Sequence, residues 1–402
     1  MRDSARYPAH YALFLMAYYV TNSAYQSFLP IYFKQNLGFN SAQIGTIFAI
    51  VATVSVATQP FWGARGDRMK SRNALIRFLC AAAASVMLSL LLARSYPLVL
   101  LLICVFAGFF MSIQPMGDSI IFESLQKHDH PFGPLRLAGG LSFAFSSILF
   151  GWILNRSGKP VLAVWLTAGL LGLVFLSTFA LPKTPGHQAA GGARMSITKL
   201  FKMKNLMLLL AFSVAIQITM GYFYTFFSNY FLTLPGGNSA LLGWCYFISA
   251  ASEIPYLLTS DRLFKKIGAG KLLCVSALTL SARWLVLALS TDYRVVMLSQ
   301  VLHGWGFIVM TVAVSKYISL SVPRELRASG QMLLAVVSFG ISRAIGNIGG
   351  GLLADAMGLQ KVYFVSTGIC IAAFALFAPY FLRQSALNGT EGRLSAGRES
   401  VY

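Results

Sequence analysis

Acidic residues are scarce in this 402-residue chain, with 12 Asp and Glu set against 32 Lys and Arg. Charged residues of both signs reach only 11%, under half the roughly 25% usual in soluble domains. That deficit excludes an ordinary water-soluble globule. Cysteine is scarce too. Cys80, Cys104, Cys245, Cys274 and Cys370 all lie inside apolar runs without CxxC spacing, so they are expected to be small buried hydrophobes. No metal and no cofactor is expected. The turn Lys127-His128-Asp129-His130 gathers metal-ligating residue types, but it is a short loop and is not read as a site. No Walker loop, GxSxG elbow or HExxH occurs, so nothing supports ATP drive, hydrolysis or an enzyme. The start, Met1-Arg2-Asp3-Ser4-Ala5-Arg6, lacks a cleavable signal pattern, and the run from Tyr11 is expected to remain as a first span.

Apolar sequence fills the space that charge leaves: 56% of residues are hydrophobic and the mean hydropathy is +0.67. Crossing about 30 Å of hydrocarbon takes about 20 apolar residues in a helix. Only helices and closed barrels satisfy their backbone groups in lipid, and these runs are too long and unalternating for barrel strands. The reading is an all-α membrane protein with twelve transmembrane helices. The spans fall near 11–33, 41–62, 74–93, 97–124, 133–155, 160–181, 205–232, 240–260, 271–290, 294–319, 327–353 and 359–382. Between the sixth and seventh lies Pro182-Lys-Thr-Pro-Gly-His187-Gln-Ala-Ala-Gly-Gly-Ala-Arg194, a polar and Pro/Gly-broken linker. It divides the chain into a six-helix bundle over 1–182, a cytoplasmic linker over 183–204, a second six-helix bundle over 205–383 and a cytoplasmic tail over 384–402.

The net charge of +20 raises a nucleic-acid partner, but the basic residues are scattered over alternate short loops. Positive-inside bias explains that pattern and nucleic-acid binding does not. With the N-terminus inside, the outer loops hold only Lys34, Arg94, Arg156, Lys159, Arg294 and Lys361. The inner turns hold Arg65, Arg68, Lys70, Arg72, Lys265, Lys266 and many others. The expected location is the plasma membrane, with both termini cytoplasmic, the lipid bilayer as partner and a monomer as the unit.

The chain is organised around Gly63-Ala-Arg-Gly-Asp67-Arg68-Met-Lys70-Ser-Arg72, expected as a short turn between the second and third spans. A half-copy, Thr259-Ser-Asp261-Arg262, follows the eighth span. Leu135-Arg136-Leu-Ala-Gly139 opening the fifth span pairs in the same way with Leu326-Arg327-Ala-Ser-Gly330 opening the eleventh. Two such repeats with a site at their interface is a transporter plan. The carboxylate of Asp67 is expected to meet the positive end of a facing helix from the other half.

An ionisable side chain at bilayer depth costs at least ~2.5–3.5 kcal/mol, so each is a functional candidate. Asp118 lies in the fourth span, Arg136 in the fifth, Glu253 in the eighth, Arg283 in the ninth, His303 in the tenth and Arg343 in the eleventh. Charge pairing would join Asp118 to Arg136, and Glu253 to either Arg283 or His303. Buried pairs alone stabilise little, so these groups are expected to line a wet cavity. There a carboxylate carries protons and His303 tunes Glu253 or donates to the solute. Asn22, Tyr256 and Trp305 are further polar or aromatic candidates for solute contact.

Gly63-x-x-x-Asp67-Arg68-x-x-x-Arg72 resembles the signature of the major facilitator superfamily, with Lys70 where a Gly is common. Phe132-Gly133-Pro-Leu-Arg136-Leu-Ala-Gly139, Ser252-Glu253-Ile-Pro255, Leu302-His303-Gly304 and Pro323-x-Glu325-Leu-Arg327-Ala are similar to the lactose permease, nucleoside symporter and phenylpropionate permease group. The resemblance implies a pseudo-symmetric fold of two six-helix bundles and a gate made by Gly63, Asp67, Arg68, Arg72, Asp261 and Arg262. It implies that Asp118 and Arg136 hold a solute on which Phe143 stacks, and that Glu253, Arg283 and His303 couple transport to protons. Gly306 stands where the lactose permease has its proton-carrying glutamate, and Tyr256 where it has a sugar-binding asparagine. The expected activity is proton-coupled uptake of a sugar or nucleoside, driven by the proton gradient. The alternative is a permease for an aromatic or other organic acid, with Arg136 or Arg283 holding the carboxylate. A drug exporter ranks below both, and a membrane enzyme or sensor is the remaining class.

Overall fold

The computed structural model describes residues 8–127, 130–184, 198–322 and 326–399. His128, Asp129, most of the expected linker, Glu325 and the side chains of Asp261, Arg327 and residues 384–399 lie outside the described residues. Among the described residues the chain is helical, without strands. Its long helices are α1 (Ala12–Gln35), α2 (Ser41–Arg68), α3 (Arg72–Ser89), α4 (Tyr96–Gln126), α5 (Gly133–Ser157) and α6 (Leu162–Ala180). After the linker come α7 (Lys204–Phe231), α8 (Ser239–Ile267), α9 (Ala269–Leu289), α10 (Tyr293–Ile318), α11 (Ser329–Met357) and α12 (Val362–Glu399).

Eleven spans among the described residues are long and apolar enough to cross a membrane. The helix outside that set is α1, and its sequence gives the reason: Thr21-Asn22-Ser23 and Gln26-Ser27 interrupt its apolar run. This helix needs polar groups because it sits centrally, against α5 of its own half and α7 of the other. Ser23 and Ser147 hydroxyls meet at 2.9 Å, Ser228 donates to the Ser27 carbonyl at 2.6 Å, and Asn229 donates to the Pro30 carbonyl at 3.2 Å. A protein wall faces α1 where lipid faces other spans.

Three local features differ from the sequence expectation. The stretch from Gly63 is mostly helix: α2 runs on through Arg68 and only Met69-Lys70-Ser71 turns. The second copy behaves alike, with α8 continuing to Ile267. Basic residues complement the negative end of a helix and reach for water along their stems, so a basic stretch need not be a loop. The fourth span is two helices, Tyr96–Phe110 and Ile113–Gln126. Pro115 has no N–H to offer the Met111 carbonyl. That carbonyl accepts from the Gln59 side-chain amide instead, at 3.1 Å.

The two halves meet tightly at the face opposite the basic turns. A Cβ on Gly45 would lie 2.2 Å from the Asn347 carbonyl oxygen, and one on Gly351 2.5 Å from that of Ser41. Gly151 and Gly243 repeat the arrangement between α5 and α8, at 2.4 Å from the Ser239 and Ser147 oxygens. Only glycine lets backbones approach this closely.

Asp355, near the end of α11, completes this seal. Its two carboxylate oxygens accept from Ser41 N–H and Ala42 N–H, each at 2.8 Å. Asn40 caps the same helix by accepting from Gln43 N–H at 2.8 Å. The free amides of the first turn of α2 are thus satisfied, two of them by the opposite half. Losing an N-cap acceptor costs about 1 kcal/mol, roughly a fivefold population change. Asp355→Ala is therefore expected to shift the two halves about fivefold toward parting at this face. Distance distributions between spin labels at the ends of α2 and α11 measure it, and unchanged populations would refute the latch.

Candidate functional site

Below this seal the halves enclose a cavity of about 310 Å³, within the usual range for small-molecule sites. It extends along α5 to Arg136 in the first turn, and so toward the basic face. Tyr19, Asn22 and Gln26 come from α1, Arg136 and Phe143 from α5, and Phe223 and Tyr224 from α7. Ser249 and Glu253 come from α8, His303 and Phe307 from α10, and Arg343 from α11. A second chamber of about 280 Å³ shares Asn22, Gln26, Tyr224 and Arg343 with the first and continues toward α2.

Of the two partners open to Glu253, the structure brings His303. The carboxylate lies 3.2 Å from His303 Nε2. Arg283 does not touch the acid; its Nη1 lies 2.7 Å from His303 Nδ1. A guanidinium can only donate, so Nδ1 must be the acceptor and the imidazole proton must sit on Nε2, facing Glu253. Nε2 lies between the Glu253 carboxylate at 3.2 Å and the Tyr224 hydroxyl at 3.4 Å. Gln300 accepts from Arg283 as well, and Ser249 donates to Gln300 at 3.2 Å. Arg283 is 0% exposed, with its guanidinium carbon 4.2 Å from the Phe223 ring centre. It holds His303 in place and, in this conformation, presents no exposed surface to a solute.

Asp118 is one layer behind the cavity wall. Gln114 donates toward it at 3.5 Å and to the Tyr19 hydroxyl at 3.1 Å; Tyr19 is the lining residue. Asp118 Oδ1 is buried without a hydrogen-bond partner. The expected Asp118–Arg136 ion pair is not formed, since among the described residues no carboxylate lies within 4 Å of Arg136. The break in α4 sits seven residues before Asp118 and changes the helix's rotation, so depth along the span did not report which way the acid faces. Tyr256 and Trp305 also leave the cavity. They pack edge to face, ring centres 4.9 Å apart, and Tyr256 lines a separate crevice at the basic end. Asn22, which donates to Gln26 at 3.3 Å, and Phe143 are at the wall.

The gate residues are differently arranged as well. Asp67 pairs with Arg72 at 2.8 Å, and Arg72 reaches Glu123 at 3.2 Å. This is an interaction within one half, and among the described residues Asp67 makes no hydrogen bond or ion pair with a helix of the other half. The interhelix carboxylate cap predicted for Asp67 is found instead at the other face, on Asp355. Arg68 and Arg262 are exposed, and Gly63 borders a groove of about 180 Å³ with Asp67 and Arg72.

Two features had no signal in the periodicity. Gly304–Ile308 and Ala335–Ser342 are wound as π-helix, a rare turn that marks functional sites. His303 immediately precedes the first and Arg343 immediately follows the second.

A family model described as "MFS_1 like family" matches residues 9–365. The maltose permease of Geobacillus stearothermophilus is 25% identical over 359 residues, covering 89% of each chain. The probable 3-phenylpropionic acid transporter of Escherichia coli (strain K12) is 24% identical over 271 residues, covering 67% of this chain and 70% of that one. The crystal structure of the nucleoside transporter NupG superposes with a TM-score of 0.82 at 18% identity, over 94% of this chain and 99% of that chain. That likeness establishes the fold. With the family match spanning most of its length, the chain belongs to the MFS_1 like family of major facilitator transporters, a multi-pass membrane protein and not an enzyme.

Proposed function

We propose that this protein is a proton-coupled symporter that takes up a small polar solute by alternating access. The observation that carries the proposal is the Glu253 carboxylate on the wall of the central cavity, 3.2 Å from the Nε2 of a histidine whose other nitrogen is engaged by Arg283. Because Nδ1 accepts from a permanent cation, His303 is not free to take up a second proton. The exchangeable proton belongs to Glu253. Sugars and nucleosides are the first classes to try, since relatives bear the names maltose permease and nucleoside permease.

The basic face is taken as cytoplasmic by the positive-inside rule, which makes the described conformation inward-facing. In the opposite conformation the groove beside Gly63 and Asp67 would receive a helix start from the second half. Asp67 would then exchange its bond to Arg72 for helix amides.

The test is uptake into proteoliposomes under an imposed pH gradient, with maltose, uridine and 3-phenylpropionate as probes. Accumulation above equilibration, collapsing when a protonophore is added, is the expected result. Flux that only equilibrates, with or without the gradient, would refute proton coupling. An acid permease is the second reading, favoured by cavity arginines that have no carboxylate within 4 Å among the described residues.

A further inference from the structure

Arg343 is a cation without a counter-charge. Its Nε donates to the neutral Gln217 at 3.3 Å. The guanidinium carbon lies 5.0 Å from the ring centres of both Tyr224 and Phe339. Neither Nη has a hydrogen-bond partner among the described residues, and no Asp or Glu of that set lies within 4 Å. Two ring faces contribute about 2 kcal/mol each when desolvated, and they leave the charge and the Nη donors without a partner among the described residues. An uncompensated charge at bilayer depth is costly enough to require a function.

The geometry favours a ligand over a loose surface cation. Arg343 borders both chambers and stands where the two halves meet. Its backbone is fixed: a Cβ on Gly346 would lie 2.1 Å from the Ile218 carbonyl oxygen, and one on Gly221 2.9 Å from that of Arg343. Gln217 and the rings set the plane of the guanidinium and leave its outer edge toward the cavity. Across the cavity, Arg136 has no carboxylate within 4 Å among the described residues, Asp118 acting on it only from behind the wall. The one carboxylate on the wall, Glu253, is engaged by His303. The lined space therefore carries more positive charge than negative, with aromatic side chains around it.

We infer that Arg343 is the anion-binding group of the solute site, and that the transported class is a carboxylate borne on a ring, a sugar acid or an aromatic acid. This rests on the transport reading and selects its second form, an acid, over the neutral sugars and nucleosides named first. A planar carboxylate matches the guanidinium fork; Phe143, Tyr224 and Phe307 supply apolar faces for the ring. One carboxylate balances the excess charge, and it leaves Glu253 free for the proton.

The test is ligand binding by the purified full chain in detergent, which needs no flux. Two matched pairs serve as probes, glucuronate with glucose and 3-phenylpropionate with 3-phenylpropanol. At least one acid is expected to raise Tm where its neutral partner at equal concentration does not. Arg343→Gln is expected to weaken the bound acid about 10- to 100-fold, the range for a hydrogen-bonded charge. Arg343→Lys keeps the charge without the fork and is expected to weaken it about tenfold; it carries the test if the glutamine variant does not fold. Neutral partners binding as tightly as the acids, neither acid binding, or either variant retaining wild-type affinity would overturn the inference. In those cases, gradient-driven accumulation of glucose or another neutral solute would leave the transport reading standing. Acid-selective binding with no flux would fail that reading alone.

Discussion

Glu253→Gln is expected to abolish gradient-driven accumulation while leaving solute exchange intact. The amide has the volume of the acid and retains an oxygen to accept from His303 Nε2, so the 3.2 Å contact and its support from Arg283 persist. What it loses is the ability to exchange a proton. One pH unit is worth 1.36 kcal/mol per proton, so a one-unit gradient sustains about tenfold accumulation at one proton per solute. The variant should fall from that ratio to equilibration, a loss of about tenfold. Exchange of labelled for unlabelled solute needs only the loaded carrier to reorient and should continue. Accumulation that survives in the variant would move the proton elsewhere. Asp118 is then the next acid to replace, since it is buried beside Tyr19 with one oxygen unpartnered. His303→Gln separates the coupling role from simple structure: Nδ1 is engaged by Arg283, so the ring takes up no second proton, and the variant, whose amide N–H can still face Glu253, should retain coupling.

The sequence made depth legible and facing only partly so. Long apolar runs and a scarcity of acids place the spans, because hydrocarbon penalises every exposed polar group in the same way whatever the neighbours are. The same penalty singles out Arg136, Glu253, His303 and Arg343, and all four line one cavity. Facing depends on helix rotation, which a break resets. Pro115 and the interruption of α4 at Met111 and Ser112 put Asp118 behind Tyr19, and the π turn before Arg343 sets that arginine between two chambers. Tyr256 and Trp305 satisfy each other at the basic end, as aromatic residues inside spans often do. Asp355 was not legible because its meaning is a contact: an ordinary aspartate near a helix end becomes a latch only when the start of α2 arrives from the other half. Asp67 pairs with Arg72 here, and a carboxylate on a facing helix start is found on Asp355 at the opposite face. The conformation decides which face holds it.

A leucine at Gly45 should prevent the seal that defines this conformation. The Cβ alone would sit 2.2 Å from the Asn347 carbonyl oxygen and 3.4 Å from Gly351 Cα. Both are backbone atoms, so no rotamer change relieves the overlap. The remaining route is for α2 and α11 to separate, which also pulls Ser41 and Ala42 from Asp355. The cavity then opens at the face opposite the basic turns, and alternation stops because one of its two end states is blocked. Uptake is expected to fall to background. A cysteine introduced at Gln26, on the cavity wall, should react at least about tenfold faster with an impermeant maleimide added from that face, since more than 1.4 kcal/mol of closure is lost. Gly63→Leu supplies the opposite sign. A Cβ there meets nothing within 4 Å, so the described conformation accepts it. The side chain would instead fill the groove at the basic face, slowing the same cysteine. Wild-type uptake and labelling in Gly45→Leu would mean that the backbone contacts between α2 and α11 do not govern access to the cavity.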